Sequence, residues 1–135
     1  ASLGANLEAK ATDGCTALVH ATCSGQSEAV RVLVGLGADL EARGPSGWTA
    51  LISAADIGQC EALRLLIGLG ADLEAKDVEG RTALIHAAGN GKGEAVRLLA
   101  GRGADLGVRD ARGRTALTLA FLRGHTGVVQ LLATL

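Results

Sequence analysis

The sequence repeats itself with a period of 33 residues. A Thr-Ala-Leu tripeptide occurs four times at this spacing, beginning at Thr16, Thr49, Thr82 and Thr115. A Gly-Ala-Asp-Leu segment keeps the same spacing, beginning at Gly37, Gly70 and Gly103. A fixed period of this length is the signature of a repeat architecture, in which no unit buries its apolar face alone. The copies must therefore stack into one elongated domain that spans residues 1–135.

Each repeat predicts two short helices separated by a turn. In the third copy, Thr82 is a suitable N-cap for a helix that ends at the glycine-rich turn of residues 89–91. A second helix with an apolar stripe is predicted from about Gly93 to Ala100. Gly103 is well placed as the left-handed residue that ends this second helix. An extended turn then leads into the next repeat.

The composition predicts an aliphatic core. Hydrophobic residues make up 48% of the chain, yet it has one Trp, one Phe, no Tyr and no Met. The 20 glycines recur at regular intervals among apolar runs, so they indicate helix ends and turns in an all-α fold and not a disordered chain.

These segments resemble the ankyrin repeat, whose pattern is approximately D-x-x-G-x-T-P-L-H-x-A-A-x-x-G-H, followed by an apolar second helix and G-A-D-V-N-A. The resemblance covers the whole chain and implies an ankyrin-repeat solenoid of stacked helix-turn-helix units joined by extended β-turn loops. In this register residues 1–10 are the tail of a preceding repeat. The four repeats that follow are residues 11–43, 44–76, 77–109 and 110–135.

The chain departs from the family pattern at the family's histidine. Its positions hold other residues, namely Val19, Ile52, Ile85 and Thr118. The hydrogen bonds between loops that the resemblance implies for this histidine are therefore not expected, and we expect some local rigidity to be lost. The leading Asp is kept at Asp77 and Asp110, whereas Ala11 and Gly44 replace it.

Both ends of the array are expected to expose apolar surface. Residues 1–10 lack the helices of their own repeat, so the surface around Leu18 and Val32 is predicted to have no neighbour. At the other end, Thr118, Phe121 and Leu122 give repeat 4 little of the polar face that a terminal repeat needs. The chain is therefore predicted to be a piece of a longer array, or to self-associate end to end.

Charge and cysteine content limit the classes of binding partner and the cellular compartments that the sequence favours. The formal net charge of −1 gives no bulk attraction to nucleic acid or to an acidic membrane. No apolar run is long enough to span a bilayer. The odd count of 3 cysteines without a C-x-x-C pair argues against a disulfide framework, which favours an intracellular, reducing compartment. Residues 68–135 are the more basic half, with 9 basic and 7 acidic side chains against 4 and 7 in residues 1–67.

No catalytic, metal or cofactor site is predicted. The Gly89-x-Gly91-x-Gly93 segment lacks the G-x-x-x-x-G-K-[ST] pattern of a phosphate loop. His20 and His86 occupy equivalent positions two repeats apart, on the order of 20 Å from each other for stacked helices, so they cannot share a metal ion. No Ser or Cys stands beside a His at a position typical of nucleophilic catalysis. The chain is therefore predicted not to be an enzyme.

The resemblance implies a non-catalytic binding surface for another protein, formed by the turn tips and the first helices. Trp48 is the predicted apolar anchor, because Trp and Arg are enriched in binding hot spots; the alternative, that it lies flat on its own turn beside Pro45, stays open. Arginines of repeats 3 and 4 are predicted to attract an acidic partner. The complete set of predicted contact residues is Trp48, Ser46, Asp56, Ile57, Glu79, Arg81, Asn90, Arg109, Arg112, Arg114 and Arg123.

Two other functions remain open at this point. The chain could be an autoregulatory segment of a larger enzyme or channel, which only the architecture of a longer chain would reveal. Binding of a small ligand in the concave groove predicts an aromatic-lined cavity, for which the sequence offers Trp48 and Phe121. Three Glu/Arg pairs spaced i,i+3 on the second helices are predicted to mark a solvated outer face: Glu28/Arg31, Glu61/Arg64 and Glu94/Arg97.

Overall fold

The computed structural model describes residues 6–135, and within this range the chain forms eight α-helices in four consecutive pairs and no strand. The predicted all-α solenoid of helix-turn-helix units is confirmed. The pairs are α1 (Ala17–Cys23) with α2 (Ser27–Gly35), α3 (Ala50–Ile57) with α4 (Cys60–Gly68), α5 (Ala83–Gly89) with α6 (Gly93–Gly101), and α7 (Ala116–Leu122) with α8 (Thr126–Ala133). The tail assigned to residues 1–10 lies partly outside the described residues.

A threonine begins the first helix of every pair. The Thr82 hydroxyl accepts the backbone N–H of Ile85 at 3.4 Å, and the Thr49 hydroxyl accepts that of Ile52 at 3.2 Å. Each threonine thereby satisfies one of the N–H groups that a helix start leaves without a partner. The N-cap predicted at Thr82 is confirmed, and the equivalent threonines cap the other first helices in the same way.

Three of the second helices, α2, α4 and α6, end at glycines in the left-handed region. Gly103 has φ of +91°, and Gly37 and Gly70 have φ of +104° and +98°. A side chain with a Cβ is strained in this region, which is why the glycine recurs at this point. The predicted end of the second helix at Gly103 is confirmed.

The helices pack in two layers with an aliphatic core between them. The first helices α1, α3, α5 and α7 pack side by side, and the second helices α2, α4, α6 and α8 pack behind them. The largest fully buried side chains include Leu51, Leu63, Leu84, Leu99 and Leu119. Among residues 6–135, no helix has both the length and the apolar character that a bilayer crossing requires.

Glutamates of the extended turns join repeat 1 to repeat 2 and repeat 2 to repeat 3. Glu41 Oε2 accepts the backbone N–H of Asp72 at 2.9 Å, and Glu74 Oε2 accepts that of Asp105 at 2.9 Å. The Arg43 guanidinium also donates to the carbonyl of Lys76 at 2.7 Å. Because the glutamate contacts recur at the repeat period, they stabilise the stacking of the first three repeats.

A histidine contacts both its own repeat and the preceding one, although the family's histidine position holds isoleucine in repeats 2 and 3. Ile52 and Ile85, which take the family's histidine position, lie in the core. The link is instead made one residue later, where the ring of His86 contacts Asp77 of its own repeat and Asp56 of the preceding one. His86 thus makes a contact between repeats from the position one residue after the family's histidine.

Two further expectations need correction. Leu18 is buried, because it lies in the core that α1 shares with the rest of the stack, whereas Val32 is half exposed as predicted. On the outer face, Arg64 does not pair within its own helix but lies 3.6 Å from Glu94 of the next repeat. The predicted pairs Glu28/Arg31 and Glu94/Arg97 are present, each at 3.9 Å.

Candidate functional site

An apolar groove lies between repeats 1 and 2, on the side formed by the turn tips and the first helices. It encloses about 330 Å³. Four elements meet there: the turn before α1, α1 itself, the turn before α3, and α3. Its main lining side chains are Cys15, Val19, Cys23, Pro45, Trp48 and Ile57. Most of these are apolar, so the groove suits an apolar side chain.

Trp48 forms part of the groove wall, and its ring packs against a neighbouring histidine. Its ring packs edge to face on the ring of His86, with centroids 4.6 Å apart and an interplanar angle of 64°. Trp48 and Pro45 line the groove together. A half-buried aromatic ring that already has a fixed neighbour loses little conformational entropy on binding.

His86 is itself fixed by two carboxylates. Its Nε2 lies 2.7 Å from Asp77 Oδ2, and its Nδ1 lies 3.1 Å from Asp56 Oδ1. The side-chain amide of Asn90 donates to the Asp56 backbone carbonyl at 3.0 Å and also to its carboxylate. Asp56 and Asn90, both predicted as partner contacts, are therefore hydrogen-bonded to each other, and Asp56 also contacts His86.

The carboxylate of Asp77 serves its own turn as well as His86. Burial raises the pKa of Asp77, but the backbone N–H groups of Arg81 and Glu79 and the ring of His86 favour the charged form more strongly. The net effect is a pKa below the ordinary value for Asp. Asp77 is thus an ionised structural group beneath the groove wall.

Asp110 pairs with two of the arginines that were predicted to attract an acidic partner. Its Oδ2 lies 3.3 Å from Arg81 Nε and 3.2 Å from Arg114 Nε. The two arginine side chains are only 13% and 20% exposed. Burial raises the pKa of Asp110, but the backbone N–H groups of Arg114 and Arg112, the side-chain hydrogen bond from Arg81 and the charge of Arg114 bring it below the ordinary value. Arg81 and Arg114 are therefore structural ion-pair partners.

Arg109 and Arg112 are exposed arginines of the turn that leads into α7. Within residues 6–135 neither guanidinium forms a hydrogen bond or an ion pair. Arg123 is exposed too, but its guanidinium donates to the Gly89 carbonyl at 3.2 Å. Glu79 lies at the tip of its turn, 3.8 Å from Arg81.

Ser46 lies at the tip of repeat 2 in an unusual backbone conformation. It has φ of +60°, the one positive value for a residue other than glycine among residues 6–135. Its carbonyl accepts the backbone N–H of Val78 at 3.0 Å, which joins the tip to the next repeat. Ser46 and Ile57 border the same groove as Trp48, so three predicted contact residues come together.

Three potential metal ligands, which the sequence did not single out as a group, lie close together in repeat 1. Donor atoms of Asp13, Cys15 and His20 all lie within 4.8 Å of one another. Cys15 and His20 come close in space because Cys15 directly precedes the N-cap of α1 and His20 lies on that helix. The D-x-C-x-x-x-x-H spacing was the available signal.

Comparison with protein families gives a match along almost the whole chain. The family model described as ankyrin repeats, three copies, matches residues 2–77 and again residues 58–135. Among curated proteins, none matches the chain.

Proposed function

Because this chain belongs to the ankyrin-repeat family, we propose that it is a non-catalytic module that binds one protein partner through its concave face. Ankyrin repeats are generally protein-binding modules and typically carry no catalysis. The observation that carries the proposal is the apolar groove beside Trp48, a concave site of about 330 Å³ at the turn tips. An intracellular location belongs to the same proposal and is supported by the free thiols of Cys15, Cys23 and Cys60.

The groove and its surroundings define the chemistry of the partner. An apolar side chain of the partner fills the space between Trp48 and Ile57. Acidic side chains of the partner face Arg109 and Arg112, the exposed cations on the turn side of repeats 3 and 4. Apolar anchoring supplies most of the affinity, and the charges act mainly on the association rate.

A capture experiment with matched variants tests this function. Immobilised wild type, Trp48→Ala and Phe121→Ala are compared for the proteins that each retains from a cell extract. Phe121 is the matched control, because it is an exposed aromatic residue outside the groove. We expect a partner retained by wild type and Phe121→Ala but lost with Trp48→Ala; equal retention by all three contradicts a role for the groove.

Two other proposals use the same groove or the same fold. The volume of about 330 Å³ lies at the lower end of the range of small-molecule sites, which favours a small apolar ligand as the second candidate. Calorimetry with apolar fragments, compared between wild type and Trp48→Ala, distinguishes that ligand from a protein. In the autoregulatory alternative, the partner is another segment of the same polypeptide, and it binds in the same groove.

A further inference from the structure

We propose that Asp13, Cys15 and His20 form a binding site for one divalent transition-metal ion, with Zn²⁺ as the best match. A carboxylate oxygen, a thiol sulfur and an imidazole nitrogen are brought within 4.8 Å of one another. Thiolate and imidazole donors select Zn²⁺ and related ions, whereas Mg²⁺ and Ca²⁺ prefer sites made of oxygen alone. This inference is independent of the function proposed for the groove.

The separations of the donors are close to those of a zinc tetrahedron. Bond lengths of about 2.0–2.3 Å to nitrogen, oxygen and sulfur place tetrahedral donors roughly 3.3–3.8 Å apart. His20 Nε2 already lies 3.1 Å from Asp13 Oδ2. The 4.8 Å limit for the whole trio leaves about 1 Å of adjustment, which rotation of the side chains supplies.

The site is built locally, so folding of repeat 1 assembles it. Asp13 Oδ1 accepts the backbone N–H of Cys15 at 3.0 Å, which fixes the carboxylate beside the cysteine. Cys15 directly precedes Thr16, the N-cap of α1, and His20 lies on that helix. The Thr16 hydroxyl, by accepting the Val19 N–H, sets the direction of the helix and with it the position of the imidazole.

The corresponding histidine of repeat 3 shows what differs in repeat 1. There the ring of His86 contacts Asp77, whose side chain is fully buried, and it contacts Asp56 on its other side. Repeat 1 has Ala11 in place of that buried Asp. His20 contacts Asp13 instead, and their side chains are 51% and 52% exposed. An ion from solvent can therefore reach the trio in repeat 1 but not the pair in repeat 3.

Three protein donors leave one position of a tetrahedral ion open. Such an open position is the feature that distinguishes catalytic and exchangeable zinc sites from closed structural ones. Cys15 also lines the apolar groove, so the ion lies at the edge of that groove. Water or a donor group from another molecule completes its coordination.

The test uses Co²⁺ as a spectroscopic probe and Zn²⁺ in calorimetry, both with the full chain in a reducing buffer. We expect one ion per chain and a thiolate-to-cobalt charge-transfer absorption. Cys15→Ser should abolish the absorption. His20→Gln and Asp13→Asn should weaken Zn²⁺ binding at least about tenfold, the lower limit for losing even an outer-shell partner.

Cys23→Ser and Cys60→Ser are the matched controls, because both thiols are free and lie outside the trio. They should keep the stoichiometry and the absorption. His20→Gln also guards against unfolding as an explanation, because the replaced ring is exposed. Absence of the absorption in wild type, its survival in Cys15→Ser, or its equal loss in Cys23→Ser would each overturn the site.

Discussion

Arg81 and Asp110 join repeats 3 and 4 across the turn tips. The Arg81 Nε lies 3.3 Å from Asp110 Oδ2, although 29 residues separate the two along the chain. Asp110 also accepts the backbone N–H groups of Arg112 and Arg114 at 2.9 Å each. One buried carboxylate thus closes its own turn and neutralises an arginine of the preceding repeat.

Removal of this carboxylate should destabilise the stack. Asp110→Ala leaves two largely buried guanidinium groups and two backbone N–H groups without their acceptor, which should cost about 2–4 kcal/mol of the free energy of unfolding. Glu79→Ala is the control, because Glu79 pairs with Arg81 only at the surface, and its loss should cost less than about 1 kcal/mol. Urea unfolding measures both; equal losses for the two variants contradict the structural role of Asp110.

Stability should fall in acid because of the lowered pKa values of Asp77 and Asp110. Burial raises each pKa, but the hydrogen bonds outweigh it, so both lie below their ordinary value in the folded state. A carboxyl of this kind stabilises the fold above its unfolded pKa of about 3.9, and this contribution disappears as the pH falls through the folded pKa. Urea midpoints measured from neutral pH to about pH 2.5 should drop steeply below about pH 4 in wild type. The drop should be shallower in Asp77→Asn/Asp110→Asn, and superimposable profiles would rule out the linkage.

Charge reversal should affect binding through the exposed arginines and stability through the paired ones. Arg109→Glu and Arg112→Glu should slow association with an acidic partner severalfold, and the effect should shrink as salt rises, because screening acts beyond about 8 Å at physiological ionic strength. Arg114→Glu should chiefly lower the urea midpoint, because it places a second acid beside Asp110. Stopped-flow association rates that respond to neither substitution nor salt would show that these arginines are only a solvated face.

Trp48→Ala should chiefly speed dissociation. A hot-spot aromatic side chain contributes about 2 kcal/mol or more, which corresponds to roughly a 30-fold loss of affinity carried mostly by the dissociation rate. The same substitution removes the edge-to-face contact with His86, so thermal unfolding of the free protein must be measured in parallel. A dissociation rate unchanged in a folded variant would place the anchor elsewhere.

End-to-end self-association remains a prediction. Phe121 and Leu122 of α7 are 70% and 59% exposed, which provides adjacent apolar side chains on repeat 4. If copies associate through this surface, Phe121→Glu/Leu122→Glu should lower the average mass found by sedimentation at high protein concentration. The control is Val78→Glu, which places the same charge at an exposed apolar residue on a turn tip. A wild type that stays monomeric at every concentration contradicts self-association.

The sequence by itself determined the repeat, its helix starts and its helix ends. Thr82 caps its helix through an N–H three residues away, and Gly103 ends one because a left-handed residue is needed there. Both are interactions within a few residues, so they recur wherever the 33-residue pattern recurs. The apolar stripes followed for the same reason, because a helix of fixed pitch sets which residues share a face.

Only the tertiary structure decided which polar side chains are free. Arg81 and Arg112 were both predicted to attract an acidic partner, yet Arg81 is held by an acid from the next repeat while Arg112 remains exposed. His86 contacts Asp56 of the preceding repeat, although no histidine link between repeats was expected, and His20 lies near Asp13 and Cys15. These outcomes depend on the distance between stacked repeats and on side-chain rotamers, neither of which the spacing of residues along one chain specifies.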